Sequence, residues 1–149
     1  MRRNAVKSSR DFPNVGVRNG AWGEDTAVAH LRGEGYVIVE RNSRPCRGDR
    51  RLEIDIVAYD RPADAMVFVE VKQHKSHREG ESALRGVDRR KMANLRRAFE
   101  AWRRLHRWRG SYRFDVIEVF GSPGCARPEV RHMDRIGIFT PPERFVRWA

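Results

Sequence analysis

Residues 52–73 read LEIDIVAYDRPADAMVFVEVKQ. Two apolar runs flank a short polar turn around Pro62, which is the pattern of two antiparallel strands joined by a hairpin. The first strand is predicted over Leu52–Tyr59, with Leu52, Ile54, Ile56 and Ala58 on one face and Glu53, Asp55, Val57 and Tyr59 on the other. The second is predicted over Ala65–Gln73, with Met66, Phe68, Glu70 and Lys72 opposite Val67, Val69 and Val71. Acids interrupt both runs. An ionised carboxylate within a central strand is costly unless it is paired or bound to a cation. A four-residue loop, Arg61 to Asp64, sets Asp60 opposite Ala65. The same register sets Asp55 opposite Glu70 and Glu53 opposite Lys72. Side chains so placed have Cβ atoms about 5 Å apart. Two carboxylates that close repel unless one is protonated or a cation lies between them. An oxygen-only ligand set suits Mg²⁺ or Mn²⁺ better than Zn²⁺. The other account of Glu70 is a salt bridge with Lys72.

On the N-terminal side, a helix is predicted from about Ala21 to Arg32, stopped by Gly33 and Gly35, then a strand over Tyr36–Glu40. Ser43–Arg51 is a polar loop. On the C-terminal side, Ser82 opens a long helix to about Arg107 with the apolar stripe Leu84, Val87, Leu95, Ala98, Trp102 and Leu105. A strand over Tyr112–Phe120 follows, then a Gly/Pro-rich loop to Pro128, with Ile136–Phe139 as an expected edge strand. Helix, three strands, helix, strand is an α/β order: one central sheet flanked by helices. The 149 residues suit one domain at 20–149, preceded by a flexible basic arm at 1–19.

Two further residues break the helical pattern. Lys91 lies within about 40° of the apolar stripe of the long helix. A snorkelling stem explains it as well as a lysine aimed at the acids of the sheet. Glu24 shares the inner face of the first helix with Ala27 and Leu31. Its expected place in the first turn gives it a plain dipole explanation.

Charge narrows the classes of function. The chain carries 31 Lys+Arg against 20 Asp+Glu, a net +11. Between Leu84 and Arg109, ten basic residues less Asp88 and Glu100 leave +8. So unbalanced a run reads as a phosphate-facing ridge, and it includes Arg89, Arg90, Arg96 and Arg97. No apolar run is long enough to span a bilayer. No apolar segment follows the basic N-terminus, so a cytoplasmic location is expected. Cys46 and Cys125 build no disulfide framework, and His74 with His77 is too sparse for a zinc site. Trp22, Trp102, Trp108 and Trp148 are expected in packing roles.

An acid on the first helix, an Asp on a strand, Glu-x-Lys on the next and a Lys on the following helix resemble the PD-(D/E)xK nuclease superfamily. Within it the chain is most similar to the YraN-like family of predicted endonucleases, which look like Holliday-junction resolvases. The matching residues are Gly20, Gly23-Glu24, Ala27, Leu31, Gly35-Tyr36, Arg41-Asn42, Glu53-Ile54-Asp55-Ile56-Val57, Val67 to Lys72, Lys91 and Arg113-Phe114-Asp115-Val116. The chain departs from that pattern at Leu52, at Gln73-His74 after Lys72, in the basic loop Pro45–Arg51 and at Val130–Met133.

The resemblance implies a restriction-endonuclease-like α-β-β-β-α-β core and a metal-dependent DNA endonuclease acting on branched DNA. Asp55 and Glu70, with the Val71 carbonyl, would hold Mg²⁺ or Mn²⁺. Glu24 would complete the site and Glu53 would assist. Lys72 would orient the attacking water, and Lys91 would meet the scissile phosphate or a carboxylate. A homodimer is compatible with this reading. The alternative is a nucleic-acid-binding module that keeps the fold without catalysis, and a weaker one is a scaffold for an acidic partner.

Overall fold

In the computed structural model of the chain, the structure describes residues 19–75 and 89–134. The basic arm through residue 18, the expected helix start at Ser82 with Leu84 and Val87, the edge strand at 136–139 and Trp148 lie outside these residues. The element order is α1 (Asn19–Gly33), β1 (Val37–Ser43), β2 (Ile54–Asp60), β3 (Ala65–His74), α2 (Arg89–His106), β4 (Ser111–Phe120) and β5 (Glu129–Met133). The α-β-β-β-α-β order expected from the sequence is present, with β5 added from residues the sequence reading left unassigned.

The five strands form one mixed sheet in the order β1-β2-β3-β4-β5. β3 and β4 run parallel and the other neighbours antiparallel. Parallel neighbours need a crossover, and α2 supplies it. Each face of the sheet carries a core. On one face Phe68, Phe114 and Val57 pack with Leu95, Ala98, Phe99 and Trp102 of α2. On the other, Ile56, Ala58, Val67, Val69, Ile117 and Val119 pack with Ala27, Val28 and Leu31 of α1. β3 is buried over its first six residues because both helices cover it.

The helices differ from the expected ones at their ends. Gly35 rather than Gly33 makes the stop. It adopts φ +91°, its N–H donates to the Arg32 carbonyl, and the Tyr36 N–H donates to the Leu31 carbonyl. Those two bonds are the Schellman pattern, and Tyr36 and Leu31 also meet in the same core. At the other end α1 begins at Asn19, so Glu24 stands in the second turn and the dipole explanation for it falls. In α2 the expected stripe residue Leu105 is 66% exposed, and Phe99 is buried instead.

Trp102 closes the aromatic core over Phe68, with ring centroids 5.2 Å apart, and its Nε1–H donates to Glu40 Oε2 at 3.0 Å. Trp102→Phe leaves that carboxylate without its indole donor. It should lower unfolding free energy by about 1–3 kcal/mol, read by urea denaturation, with the slope m unchanged.

Candidate metal centre and its surroundings

The site exists because two strands part. The β2–β3 ladder runs from Asp60↔Ala65 to Ile56↔Val69, the register expected from the four-residue loop. One step further brings Asp55 beside Glu70. There the Val71 N–H donates to Asp55 Oδ2 at 2.8 Å, where a continued ladder would offer a β2 carbonyl. A side chain has replaced a main-chain bond, and the strict alternation of β2 breaks with it. Leu52 and Ile54 pack in the α2 core, whereas Ile56 and Ala58 pack in the α1 core. The single face expected for these four residues is therefore split.

The break also removes Glu53 from its expected place opposite Lys72. Glu53 lies before β2, where Arg44 Nη2 reaches its Oε2 at 3.1 Å. It joins Glu24 and Asp55 in a cluster in which one carboxylate oxygen of each lies within 4.8 Å of the others. Lys72 instead sits with its ammonium 3.4 Å from Glu70 Oε1 and is registered with Glu118 on β4. The salt bridge weighed for Glu70 is thus present, and Glu70 is also in contact with Asp55. Both roles fall on one carboxylate.

Glu24 is held from β1. Arg41 Nη2 lies 3.8 Å from Glu24 Oε2 and 2.5 Å from Asp25 Oδ1, and Asn42, at φ 48°, hydrogen-bonds Glu24. Gly23, immediately before Glu24 in α1, is buried against Gln73. A Cβ there would come within 2.8 Å of the Gln73 Oε1. Glycine thus lets α1 approach the end of β3 closely enough to present Glu24.

The crowding shows in the protonation of the acids. Burial, then the Glu70 charge, push Asp55 up to about 8, against the lowering effect of the Val71 N–H. Burial also raises Glu24, against Asn42 and Arg41. Such acids are poised to exchange a proton for a cation. The donors are all carboxylate oxygens, which fits Mg²⁺ or Mn²⁺. Asp55 is the residue common to both candidate ligand sets: it clusters with Glu24 and Glu53, and it meets Glu70.

A stability experiment tests this. Between the ordinary Asp value near 4 and about 8, the native protein keeps a proton that the unfolded chain has released. Metal-free stability should therefore fall as pH rises through that window. At pH 7.5, Mg²⁺ or Mn²⁺ at about a hundred times its Kd should raise Tm by about 5–10 °C. The same addition should release close to one proton, read by calorimetry in buffers of different ionisation enthalpy. A Tm indifferent to metal across pH 6–8 would exclude a metal centre here.

Two buried acids were given no role in the sequence reading, although Asp115 stands among the residues that carry the resemblance. Glu118 is 3% exposed, with His74 Nε2 3.1 Å from its Oε2, outside hydrogen-bond alignment, and the His74 ring stacked on Phe120. The signal was available: Glu118 interrupts Val116-Ile117-Glu118-Val119 just as Glu70 interrupts β3. Asp115 is fully buried between Arg113 Nε at 3.1 Å and His132 Nε2 at 2.8 Å. Arg113 continues to Asp60 at 2.6 Å and to the Tyr36 hydroxyl at 2.7 Å. This network ties the starts of β1 and β4 to the end of β2.

Of the other expected site residues, Lys91 lies in the first turn of α2, and its side chain and that of Arg89 are outside the described set. Arg90, Arg96 and Arg97 are exposed along α2. Trp102 is core, and Trp22 and Trp108 pack half-buried against the two cores. No described helix is long and apolar enough to cross a membrane.

Residues 23–119 match the model of a family described as "Uncharacterised protein family UPF0102". That span contains Glu24, Asp55, Glu70, Lys72 and Lys91. A UPF0102 protein of Arthrobacter sp. (strain FB24) is 39% identical over 119 residues, covering 79% of this chain and 94% of that protein. One of Mycobacterium sp. (strain JLS) is 41% identical over 117 residues, covering 76% and 81%. One of Cytophaga hutchinsonii is 34% identical over 106 residues, covering 71% and 88%. On this match over most of its described length, the chain belongs to the UPF0102 family.

Proposed function

We propose that the chain is a metal-dependent DNA endonuclease that hydrolyses phosphodiester bonds in branched DNA in the cytoplasm. The observation that carries this reading is the cluster of Glu24, Glu53 and Asp55 where β2 leaves β3, with Glu70 in contact with Asp55 and Lys72 beside Glu70. Carboxylates gathered around Asp55 in this way are expensive for a fold and useful to a hydrolase. Asp55 and Glu70, with the Val71 carbonyl, would hold Mg²⁺ or Mn²⁺. Glu24, from α1, and Glu53, from the segment before β2, would complete the site around Asp55. When bound, the cation would lower the pKa of a coordinated water and neutralise charge on the phosphate.

The chain's own groups do the rest. Glu70 holds the Lys72 ammonium, which orients the attacking water and answers negative charge that develops on the phosphoryl oxygens. Lys91 acts on the scissile phosphate, and Arg89, Arg90, Arg96 and Arg97 hold the backbone. The branched substrate rests on the resemblance to junction resolvases.

The test is a cleavage assay on linear, flapped and four-way-junction DNA with Mg²⁺ or Mn²⁺, run beside Asp55→Asn. Wild type should cut at least the branched forms, and the variant none. If wild type cuts nothing with either metal, the chain is a nucleic-acid-binding module on a nuclease-like fold.

A further inference from the structure

Residues 89–106 read RRKMANLRRAFEAWRRLH, and the Arg-Arg pair recurs every seven residues, at 89–90, 96–97 and 103–104. Seven residues of helix advance about 10.5 Å. They rotate the side chains by only about 20° from one pair to the next. Helical positions at this spacing follow one nearly straight line about 21 Å long. Arg90, Arg96, Arg97, Arg103 and Arg104 are exposed, while Leu95, Ala98, Phe99 and Trp102 are buried against the sheet. Glu100 is the one acid in the helix sequence.

The stripe has a direction. Between its first and second pairs the helix passes over Glu70, because Leu95 on its buried side lines a small cavity together with that residue. Its far end lies at the start of β4, where the Trp108 Nε1–H donates to the Ser111 carbonyl at 3.1 Å. Glu70 is registered with Val116, five residues further along that strand, or about 16 Å away. Past the third pair the charge continues into an open cleft of about 660 Å³ lined by Glu100, Arg103, Arg104, Arg107, Trp108 and Arg109. Cations in a last helical turn are favoured by the dipole. That accounts for Arg103 and Arg104 but not for a repeat through the whole helix.

We infer that a double-helical arm of nucleic acid lies along the exposed face of α2, from the carboxylates to the Arg103–Arg109 cleft. At 3.4 Å per base pair, 21 Å is about six base pairs, one Arg pair for every three. A straight, rigid stripe matches a rigid duplex, which is stiff over lengths far beyond this. A single strand or an acidic peptide would have to be ordered to follow it. This deepens the nuclease reading and rests on it only for where the cut falls.

The experiment reads binding, not cleavage. The full chain, in EDTA, is titrated with labelled DNA hairpins whose stems have 5, 8 and 12 base pairs, at several salt concentrations. Affinity should rise several-fold from the 5- to the 12-base-pair stem. R103Q/R104Q should remove most of that rise. It should also reduce the slope of log K against log salt on the longest stem by about 1–2. Circular dichroism and Tm confirm that the variant is folded. The inference is overturned if R103Q/R104Q binds the 12-base-pair stem like wild type. It is equally overturned if a 12-nucleotide single strand binds as tightly as the stem, or if polyglutamate displaces the stem at equal charge. A protein that shows the length dependence but cuts nothing keeps the duplex track and loses the nuclease reading. One that cuts while R103Q/R104Q changes nothing does the reverse.

Discussion

Asp55→Asn should reduce DNA cleavage by about a thousandfold or more while making the metal-free protein more stable at pH 8. The two effects have one origin. Asp55 is mostly buried beside Glu70, and burial first and the Glu70 charge second raise its pKa. Asparagine is close in shape, and its Oδ1 can still accept the Val71 N–H that ends the β2–β3 ladder. What it removes is the charge. Without that charge the repulsion from Glu70 is relieved, so Tm in EDTA should rise. The fall of stability with pH should flatten, since that fall comes from Asp55 giving up its proton above its ordinary range. The metal-induced rise in Tm should shrink or vanish. A site selected for stability alone behaves the other way: its asparagine variant melts lower, still responds to metal and still cuts. That result would sink the assignment of Asp55 to a metal centre.

The hairpin and its register were legible because a four-residue loop and a period of two leave no freedom. Once Asp60 faces Ala65, every pair up to Ile56 and Val69 follows. The same rule failed beyond that pair. Alternation carries no information about where a ladder ends, and the Asp55 side chain ended this one by taking the Val71 N–H. Hence Glu53, expected opposite Lys72, turned to Glu24 and Arg44 instead. The charge anomalies of Asp55, Glu70 and Glu24 were visible as polar residues in apolar patterns. Glu118 carried the same signal and its partner did not, because His74 lies 44 positions away on a parallel neighbour. Asp115 hid for a similar reason. Arg113 is its neighbour along β4, but His132 reaches it only through the β4–β5 pairing, and β5 is too short and polar to announce itself. In α2 the apolar stripe was right at Leu95, Ala98 and Trp102. Leu105 went to solvent, where the chain leaves the helix for β4.

Lys72→Ala should separate a catalytic lysine from a structural one. The pair Lys72–Glu70, at 3.4 Å, has both partners largely buried, so either role is chemically sensible. If the ammonium only neutralises Glu70, its loss strands a buried carboxylate. Tm in EDTA then falls, bound metal restores it, and the rate on saturating DNA is unchanged. If Lys72 acts on the reacting groups, Tm behaves in the same way but the rate does not recover. The charge it answers develops mainly in the transition state, so binding of ground-state DNA hardly registers its loss. The rate on saturating DNA with saturating Mg²⁺ should drop by about a hundredfold or more. The affinities for metal and DNA should stay within a few-fold of wild type. Lys72→Arg serves as the control: it restores the charge beside Glu70 and hence the metal-free Tm. It should recover little of the rate, because a planar guanidinium cannot take the place of a compact ammonium at a water. A Lys72→Ala enzyme that turns over like wild type once metal is saturating would leave the lysine a counter-ion and nothing more.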